Sequence, residues 1–548
     1  MYKIISKFSF SEEAIVTCLL NIFNNILIFK TDIDLSGFKN LSSDLLIIWG
    51  KFPDKISVVE QILKTVEFFF MDELLIKDLL KEDIVCFINL LLSTCKINVN
   101  NFLKILEFYN KLGGIHPLFL DKLFVYDSLS LLMDLFNKYS ANTKITEITL
   151  SIFLKGCKQD KKYITFLSSH GVLEYSMNTI MKYMNTCHLS IITQSLELIF
   201  ILINGENNVL FYSKSQNINI LLQAFKINIK IKEVVSVCSK LFNIITLKDF
   251  IINSDNFNFT TMVEIINDLL DIYSKNYTIF VQIIFLIQNL FQLAKEIWLK
   301  KLLVDIIYNN TEKYLTRVEF IEVITEAISN MLKQDYTILD LDSQTVFYFI
   351  SKIISSPINS SIITELLKLL KFIVRNKYIT STFQIEEINK YLKLIFDDKN
   401  QHKPSIIAQF SSLISLICTN TTYYSEMAQI YFSFILEYCC EADNNSDIHN
   451  KLLEEMKIIS VYTQIKSENE SDKISNLLFK VFNSNFHTKN KKNLTILFQI
   501  ISSICIQSEL VKEELNKKHL ADILKDLVKN NCFNDNLLDY QAKGMVSF

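Results

Sequence analysis

Glycine and proline are nearly missing from this chain, which has 8 glycines and 4 prolines among 548 residues. Average usage of roughly 7% and 5% would give about 38 glycines and 27 prolines in a chain of this length. These two residues supply the tight turns of hairpins and sandwiches and the backbone of phosphate-binding loops. Hydrophobic residues make up 50% of the chain, so there is ample apolar surface to bury. The sequence therefore predicts a mostly helical protein whose helices are joined by short polar connections.

Apolar residues recur with helical periodicity through most of the chain, and the segment Thr261–Tyr273 is an example. Its apolar residues lie at i, i+3, i+4, i+7 and i+8, with acidic residues on the other side, which is typical of an amphipathic helix. Residues 56–70, 362–374 and 518–528 show the same pattern. The length suits about three or four globular domains or one long repeat array. Internal repeats distinguish these two possibilities.

A short motif, which is an apolar residue, any residue and then asparagine, recurs near the ends of long helical segments. The asparagines of this motif are Asn204, Asn243, Asn289, Asn330, Asn376 and Asn420. They are separated by 39, 46, 41, 46 and 44 residues. Going back from Asn204, the same register falls on Gly156 and then on Asn110. A period of about 40 to 47 residues with two or three helices per repeat is typical of armadillo and HEAT arrays.

With this period the chain resembles the armadillo repeat family over roughly residues 100 to 530. The resemblance implies an all-α fold, a right-handed α-solenoid (superhelix) of armadillo/HEAT-like repeats. In that family the third helix of each repeat lines a concave groove, where an asparagine binds the backbone of an extended peptide. The six asparagines would form such a ladder, because an amide offers both a donor and acceptors to a peptide bond. Phe200, Phe285 and Phe372, each one turn before a ladder asparagine, complete the candidate partner-binding groove.

The sequence also departs from that family. Importin-α-like members carry a tryptophan one turn before the asparagine, whereas this chain has Phe200, Ser239, Phe285, Glu326, Phe372 and Leu416 there. A receptor for nuclear-localisation signals is therefore not expected. Residues 1–110 fit the period poorly. We predict divergent N-terminal repeats or a capping bundle over 1–110, the armadillo-like solenoid over 111–530, and a C-terminal tail over 531–548.

Charge and composition exclude several functions. The net charge is −3, and the chain has two arginines, Arg317 and Arg375. A nucleic-acid binder normally carries a basic stripe, so we expect no nucleic-acid partner and treat Lys489, Lys491 and Lys492 as a solvated loop. No window has the ~18 to 20 uninterrupted apolar residues of a membrane span. The 11 cysteines form no C-x-x-C motif, which favours a reducing compartment. We expect a cytoplasmic protein, with nuclear or cytoskeletal association left open.

No motif for catalysis, a cofactor or a metal stands out. Gly113 and Gly114 are too few for a phosphate loop and suit the end of a helix. The segment at residues 32–37 resembles the start of a calcium loop, but Ser43 occupies the position that needs a bidentate glutamate. His449 lies near two glutamates without a metal-ligand spacing. We expect neither enzyme activity nor a cofactor, although dyads assembled from distant residues remain open.

Two functions fit these observations best. The first is a non-catalytic interaction scaffold or adaptor that holds partner protein segments in a concave groove. The alternative is a structural subunit of a large cytoskeletal or ciliary assembly, which a large apolar patch at an end or on the convex side would favour. For the scaffold, replacing Asn289 and Asn330 together by alanine should weaken partner binding and leave folding nearly intact. Unfolding would instead identify these amides as core hydrogen-bonders. Partner identity and oligomeric state remain open.

Overall fold

The structure is a computed structural model, and it contains helices and no strand in the residues that it describes. These are residues 13–29, 41–52, 55–68, 85, 89, 98–115, 117–124, 126–205, 215–247, 258–335, 343–356, 358–375, 382–396, 403–420, 424–441, 447–465, 467–487 and 490–529. The chain divides into two compact units, Met1–Asn289 (unit 1) and Leu290–Phe548 (unit 2). The predicted all-α class is confirmed.

Unit 1 holds the first part of the helix series. Its helices are α1 (Glu13–Phe29), α2 (Leu41–Lys51), α3 (Ile56–Phe68), α4 (Val99–Ile115), α5 (Pro117–Leu123), α6 (Tyr126–Lys138), α7 (Thr143–Gln159), α8 (Lys161–Ser169), α9 (Val172–Tyr183), α10 (Leu189–Gly205), α11 (Ser215–Ile227), α12 (Lys232–Leu247), α13 (Phe259–Ile272) and α14 (Tyr277–Leu293), which ends in unit 2.

Unit 2 holds the remaining helices. They are α15 (Ile297–Thr311), α16 (Val318–Gln334), α17 (Ser343–Ile354), α18 (Ser360–Arg375), α19 (Thr382–Phe396), α20 (Pro404–Asn420), α21 (Tyr424–Glu441), α22 (Asp447–Ser460), α23 (Glu468–His487), α24 (Lys491–Gln507), α25 (Glu509–Lys517) and α26 (Leu520–Lys529). A short 3-10 helix, Glu312–Tyr314, follows α15.

The helices of each unit pack in two rows. In unit 1, the helices α1, α3, α4, α7, α10 and α12 each pack against the next one in this series, and side-chain hydrogen bonds join α12 to α14. In unit 2, α16, α18, α20, α22 and α24 pack successively in the same way. We call these series row A. Other helices pack successively beside them as row B, for example α9, α11 and α13 in unit 1 and α21, α23 and α25 in unit 2.

Hydrogen bonds between successive repeats span an interval that matches the predicted period. The hydroxyls of four tyrosines donate to residues 42 to 44 positions earlier in the chain. The four are Tyr163, Tyr183, Tyr391 and Tyr431, two in each unit. Two rows of helices that repeat at this interval form an armadillo/HEAT-like architecture, as the sequence predicts.

Local sequence explains the row A helices. In α18, apolar residues recur at i, i+3, i+4 and i+7, and the side chains from Ile362 to Val374 on that face are buried. Each fully buried aliphatic side chain contributes about 1.5–3 kcal/mol. The abundant asparagines serve as N-caps: Asn142 accepts hydrogen bonds from the backbone at the start of α7, and Asn490 does so at the start of α24.

The predicted division at residue 110 stays a prediction. Helix α4 runs from Val99 to Ile115 and so crosses that point, and it packs against α3 and α7 as other row A helices pack on their neighbours. Gly113 and Gly114 lie in its last turn. The segment 531–548 and the predicted loop at 32–37 lie outside the described residues.

Candidate interaction surface

The outer face of row A is the surface that packing leaves open. In α14, Ile283, Ile284, Leu286 and Ile287 are buried, whereas the Phe285 side chain between them is 50% exposed. A phenylalanine in the middle of a helix with this exposure has no packing partner over much of its ring. We call the solvent-facing side of the row A helices the row A face.

The predicted ladder asparagines of unit 1 differ in their environment. Asn204 is exposed at the end of α10. Asn243 is half-buried, and its Nδ2 donates to the backbone oxygen of Gln282 at 3.0 Å. Asn289 is buried, and its Nδ2 donates to Asn243 Oδ1 at 3.1 Å. These two amides therefore join α12 to α14 across the repeat boundary.

At the ladder positions of unit 2, the structure describes the side chain of Asn330 alone. Asn330 is half-buried on α16. Asn420 is the last residue of α20, but its side chain, like the whole of Asn376, lies outside the described part of the chain. Among the aromatic candidates, Phe200 and Phe372 are half-buried, and Phe285 is the most open of the three.

Two earlier asparagines of unit 1 show the same use of the amide. Asn110 Oδ1 accepts hydrogen bonds from Ser151 and from Lys155 Nζ, both on the next row A helix. Asn24 on α1 donates to Gln61 on α3 and accepts from Thr65. The recurring asparagine thus joins neighbouring row A helices at several repeat boundaries of unit 1.

Gly156 holds this register position in α7 for a steric reason. A Cβ atom there would lie 2.9 Å from Cζ of Phe124 and closer still to another ring atom. The Phe124 ring, which is buried, packs against the backbone at this point. A side chain at residue 156 would displace it.

Asn289 and Asn330, the two residues of the proposed double substitution, differ in burial and in hydrogen bonding. Asn289 is buried and bonded to Asn243, so its replacement removes contacts that hold α12 to α14. Asn330 is half-buried, and no hydrogen bond of its amide to other described residues is present. The geometry at Asn289 matches the alternative stated above, that of a core hydrogen-bonder.

A cluster of charges on the row A face of unit 2 is not apparent from the sequence. Lys371 and Arg375 lie one turn apart on α18, and Lys451 lies on α22. Burial, with Lys451 and Arg375 nearby, holds the pKa of Lys371 below its usual value, and Glu455 opposes the shift. The three cations are separated by up to 80 residues in sequence, so no local motif reveals them.

His449 belongs to a buried hydrogen-bond network. Its Nε2 lies 3.1 Å from Asn485 Nδ2, and Asn485 also donates to the backbone oxygen of Val481. Asn493 donates to Asn485 Oδ1 at 3.0 Å. Because the Asn485 amide nitrogen faces a carbonyl oxygen, its orientation is fixed and His449 Nε2 acts as an acceptor. The network joins α22, α23 and α24.

The cysteine thiols on buried faces are poorly suited to nucleophilic chemistry. Burial raises the pKa of Cys157 and of Cys418 to about 12, and it raises the pKa of Cys238 and Cys439 further. A thiol must ionise to react as a nucleophile, so these groups behave as apolar side chains.

The described residues hold neither a metal-binding cluster nor a membrane-spanning helix. They contain no group of three or more histidine, cysteine, aspartate or glutamate side chains that could hold a metal ion. No helix in this part of the chain is both long enough and apolar enough to cross a membrane. A shallow pocket among α24, α25 and α26 is lined mainly by apolar residues, with Cys505 and Lys512 at its wall.

Comparisons with known proteins give structural similarity at low sequence identity. No protein-family model and no curated protein sequence matches the chain. A chain from a structure of the cadherin–β-catenin interaction is 9% identical, with 95% of this chain and 98% of that chain covered and a TM-score of 0.43. Kap121p bound to RanGTP (11% identical, 99% and 62% covered) and importin β (10%, 100% and 72%) both have TM-scores of 0.35. At such TM-scores these likenesses carry no argument about function.

Proposed function

We propose that this protein is a non-catalytic interaction scaffold or adaptor that holds segments of partner proteins against its row A face. The observation that carries the proposal is the half-exposed ring of Phe285 in the middle of a row A helix. Exposed aromatic side chains surrounded by packed residues are typical energetic centres of protein interfaces.

The neighbours of Phe285 suit a protein ligand. Gln288 is partly exposed one turn after it, and Leu247 is 60% exposed at the end of α12, the adjacent row A helix. Amide groups next to apolar side chains can bond a peptide backbone while the ring takes up an apolar side chain. A cytoplasmic location and a protein partner are parts of this proposal, as is the absence of catalysis.

Affinity purification from the native cells, followed by mass spectrometry, tests the proposal. The wild-type chain should retain a few partner proteins in stoichiometric amounts at moderate salt. Phe285→Ala should lose them, because removing an aromatic centre of an interface costs more than about 1–2 kcal/mol. Leu394→Ala is the matched control, since Leu394 is 53% exposed on α19, outside row A.

Other outcomes would contradict the proposal. Equal recovery of partners by the wild type and Phe285→Ala would show that partners do not bind at the row A face of unit 1. Loss of the partners in Trp298→Ala instead would favour the structural-subunit alternative, because Trp298 is 61% exposed on α15, which is not a row A helix.

A further inference from the structure

Three cations of unit 2 lie on the two row A helices that flank a row A helix without charged residues. Helix α20 contains no aspartate, glutamate, lysine, arginine or histidine. It packs between α18, which carries Lys371 and Arg375, and α22, which carries Lys451. Lys371 Nζ donates to Gln409 Oε1 of α20 at 3.3 Å, so the lysine chain extends over that helix. Arg375 and Lys451 are exposed, and Lys371 is half-buried.

The charges around this cluster do not balance. Lys371 interacts with two cations, Lys451 and Arg375, and with one carboxylate, Glu455. Two other carboxylates of the same helices are already paired: Glu454 with Lys492 at 3.7 Å and Glu365 with Lys368 at 2.5 Å. Burial and like charges both make the ammonium form of Lys371 less stable than in water, which is why its pKa is lowered.

We propose that Lys371, Arg375 and Lys451, here called the basic cluster, bind carboxylate side chains of an acidic segment from a partner protein, laid across α20. This inference rests on the proposed scaffold function and names the partner's chemistry in unit 2. An anion would relieve the repulsion among the three cations. The guanidinium of Arg375 can hold a carboxylate through two hydrogen bonds.

The surroundings fit a short acidic segment better than a long polyanion. The floor at α20 has the half-buried, uncharged side chains of Gln409, Ser412 and Leu416, which can pack against a peptide. On α16, the next helix of the row, Glu319 and Glu326 are exposed. These carboxylates would repel a nucleic acid that continued along the row, which needs a continuous basic stripe.

Fluorescence anisotropy with a fluorescein-labelled oligoglutamate peptide tests the inference on the full chain. The peptide should bind, and its affinity should fall as salt rises. The triple variant Lys371→Gln, Arg375→Gln, Lys451→Gln should bind about tenfold more weakly, as expected for the loss of three exposed ion pairs. The matched control replaces Lys390, Lys393 and Lys480 by glutamine. It removes the same charge from exposed positions on α19 and α23, outside row A, and should stay within about twofold of wild type.

A variant that gains affinity excludes misfolding as the explanation. Glu455→Gln removes the carboxylate that faces the basic cluster, so it should bind oligoglutamate about two- to threefold more tightly. Equal losses in the triple variant and its control, or no gain with Glu455→Gln, would overturn the inference. So would a single-stranded oligonucleotide that binds more tightly than oligoglutamate through the same three residues.

The result is separable from the test of the proposed function. If purification from cells recovers partners with the wild type and with the triple variant alike, the scaffold function stands and the basic cluster is not its contact. If oligoglutamate binds through the cluster although no partner is recovered with any variant, the cluster is an acidic-segment site and the scaffold proposal on the row A face of unit 1 fails.

Discussion

Row A is built alike in the two units but is chemically different in each. In unit 1 its repeats are joined by amides, such as Asn243 and Asn289, and by lysine–glutamate pairs, such as Lys104 with Glu60 and Lys158 with Glu197. In unit 2 Ser361 bonds to Glu322 on the neighbouring row A helix, and the open face carries the basic cluster, where three cations lie near one carboxylate. The same helix arrangement therefore carries paired charges in unit 1 and an excess of positive charge at the basic cluster in unit 2.

Glycine usage follows the same division. Seven of the eight glycines lie in unit 1, and the one in unit 2, Gly544, lies outside the described residues. At Gly156 and Gly205 a Cβ atom would collide with a side chain of a neighbouring helix, Phe124 and Ile164 respectively. At these two glycines of unit 1 a neighbouring side chain thus packs directly against the backbone of a row A helix.

The largest expected effect tests that close approach. Gly156→Ala should destabilise unit 1 by about 1–3 kcal/mol, because the added methyl group must displace the Phe124 ring. The measurement is hydrogen exchange of the α5 and α7 amides, which reports local stability in a chain with two units. Gly114→Ala is the control: its Cβ would approach only the flexible end of Lys155, at 3.3 Å, and the change should stay within about 1 kcal/mol. Equal protection in both variants would show that the Phe124 contact is not tight.

The next effect compares one ladder position from each unit. Asn289→Ala should cost about 1–3 kcal/mol, since it removes a buried amide and leaves the half-buried acceptor of Asn243 without its donor. Asn330→Ala should change stability by less than about 0.5 kcal/mol. Hydrogen exchange of α12, α14 and α16 amides measures both.

A double-mutant cycle between Asn243→Ala and Asn289→Ala identifies the source of the loss. A coupling energy of about 0.5 kcal/mol or more would show that the two amides act together. Two small and additive effects would show that these amides do not hold the helices together. Both residues would then remain candidates for the partner-binding ladder predicted from the sequence.

The fold could be predicted further than the site. The scarcity of glycine and proline indicated helices, and the asparagine spacing of 39–46 residues matches the 42–44 residues that separate the bonded tyrosines and their partners. The register also located the row A helices. It could not show which way each amide points, because a rotation of about 100° about the helix axis separates the side facing the next helix from the side facing solvent.

Contacts that span several repeats could not be predicted from the sequence pattern. The basic cluster joins residues two row A helices apart, and the His449 network needs Asn485 and Asn493 from two further helices. The neighbours of His449 in sequence, Glu454 and Glu455, gave no indication of that network. Such sets are determined by packing, and the repeat period alone does not specify them.

The smallest expected effect compares two carboxylate–lysine–tyrosine groups outside row A. In unit 1, Lys162 Nζ and the Tyr163 hydroxyl both lie 2.5 Å from Asp121 Oδ1. In unit 2, Glu312 Oε1 lies 2.9 Å from Lys352 Nζ and 3.3 Å from the Tyr348 hydroxyl. Hydrogen bonds from the lysine and then the tyrosine hold the pKa of Asp121 below its usual 3.8, and Lys352 similarly lowers the pKa of Glu312.

Acid titration of stability separates the two groups. Because the pKa of Asp121 is lower in the folded state, its contribution is present above pH 3.8 and is lost as the pH falls through the folded-state pKa. Asp121→Asn should therefore lower the stability of unit 1 at neutral pH by less than about 1 kcal/mol, since the side chain is partly exposed. The difference from wild type should vanish in acid, and Glu312→Gln should show a smaller difference of the same sign, because its contacts are longer and open to water. Hydrogen exchange of α8 and α17 amides at neutral and acidic pH measures both. A difference for Asp121→Asn that persists in acid would mean that packing of the carboxylate, and not its charge, joins these repeats.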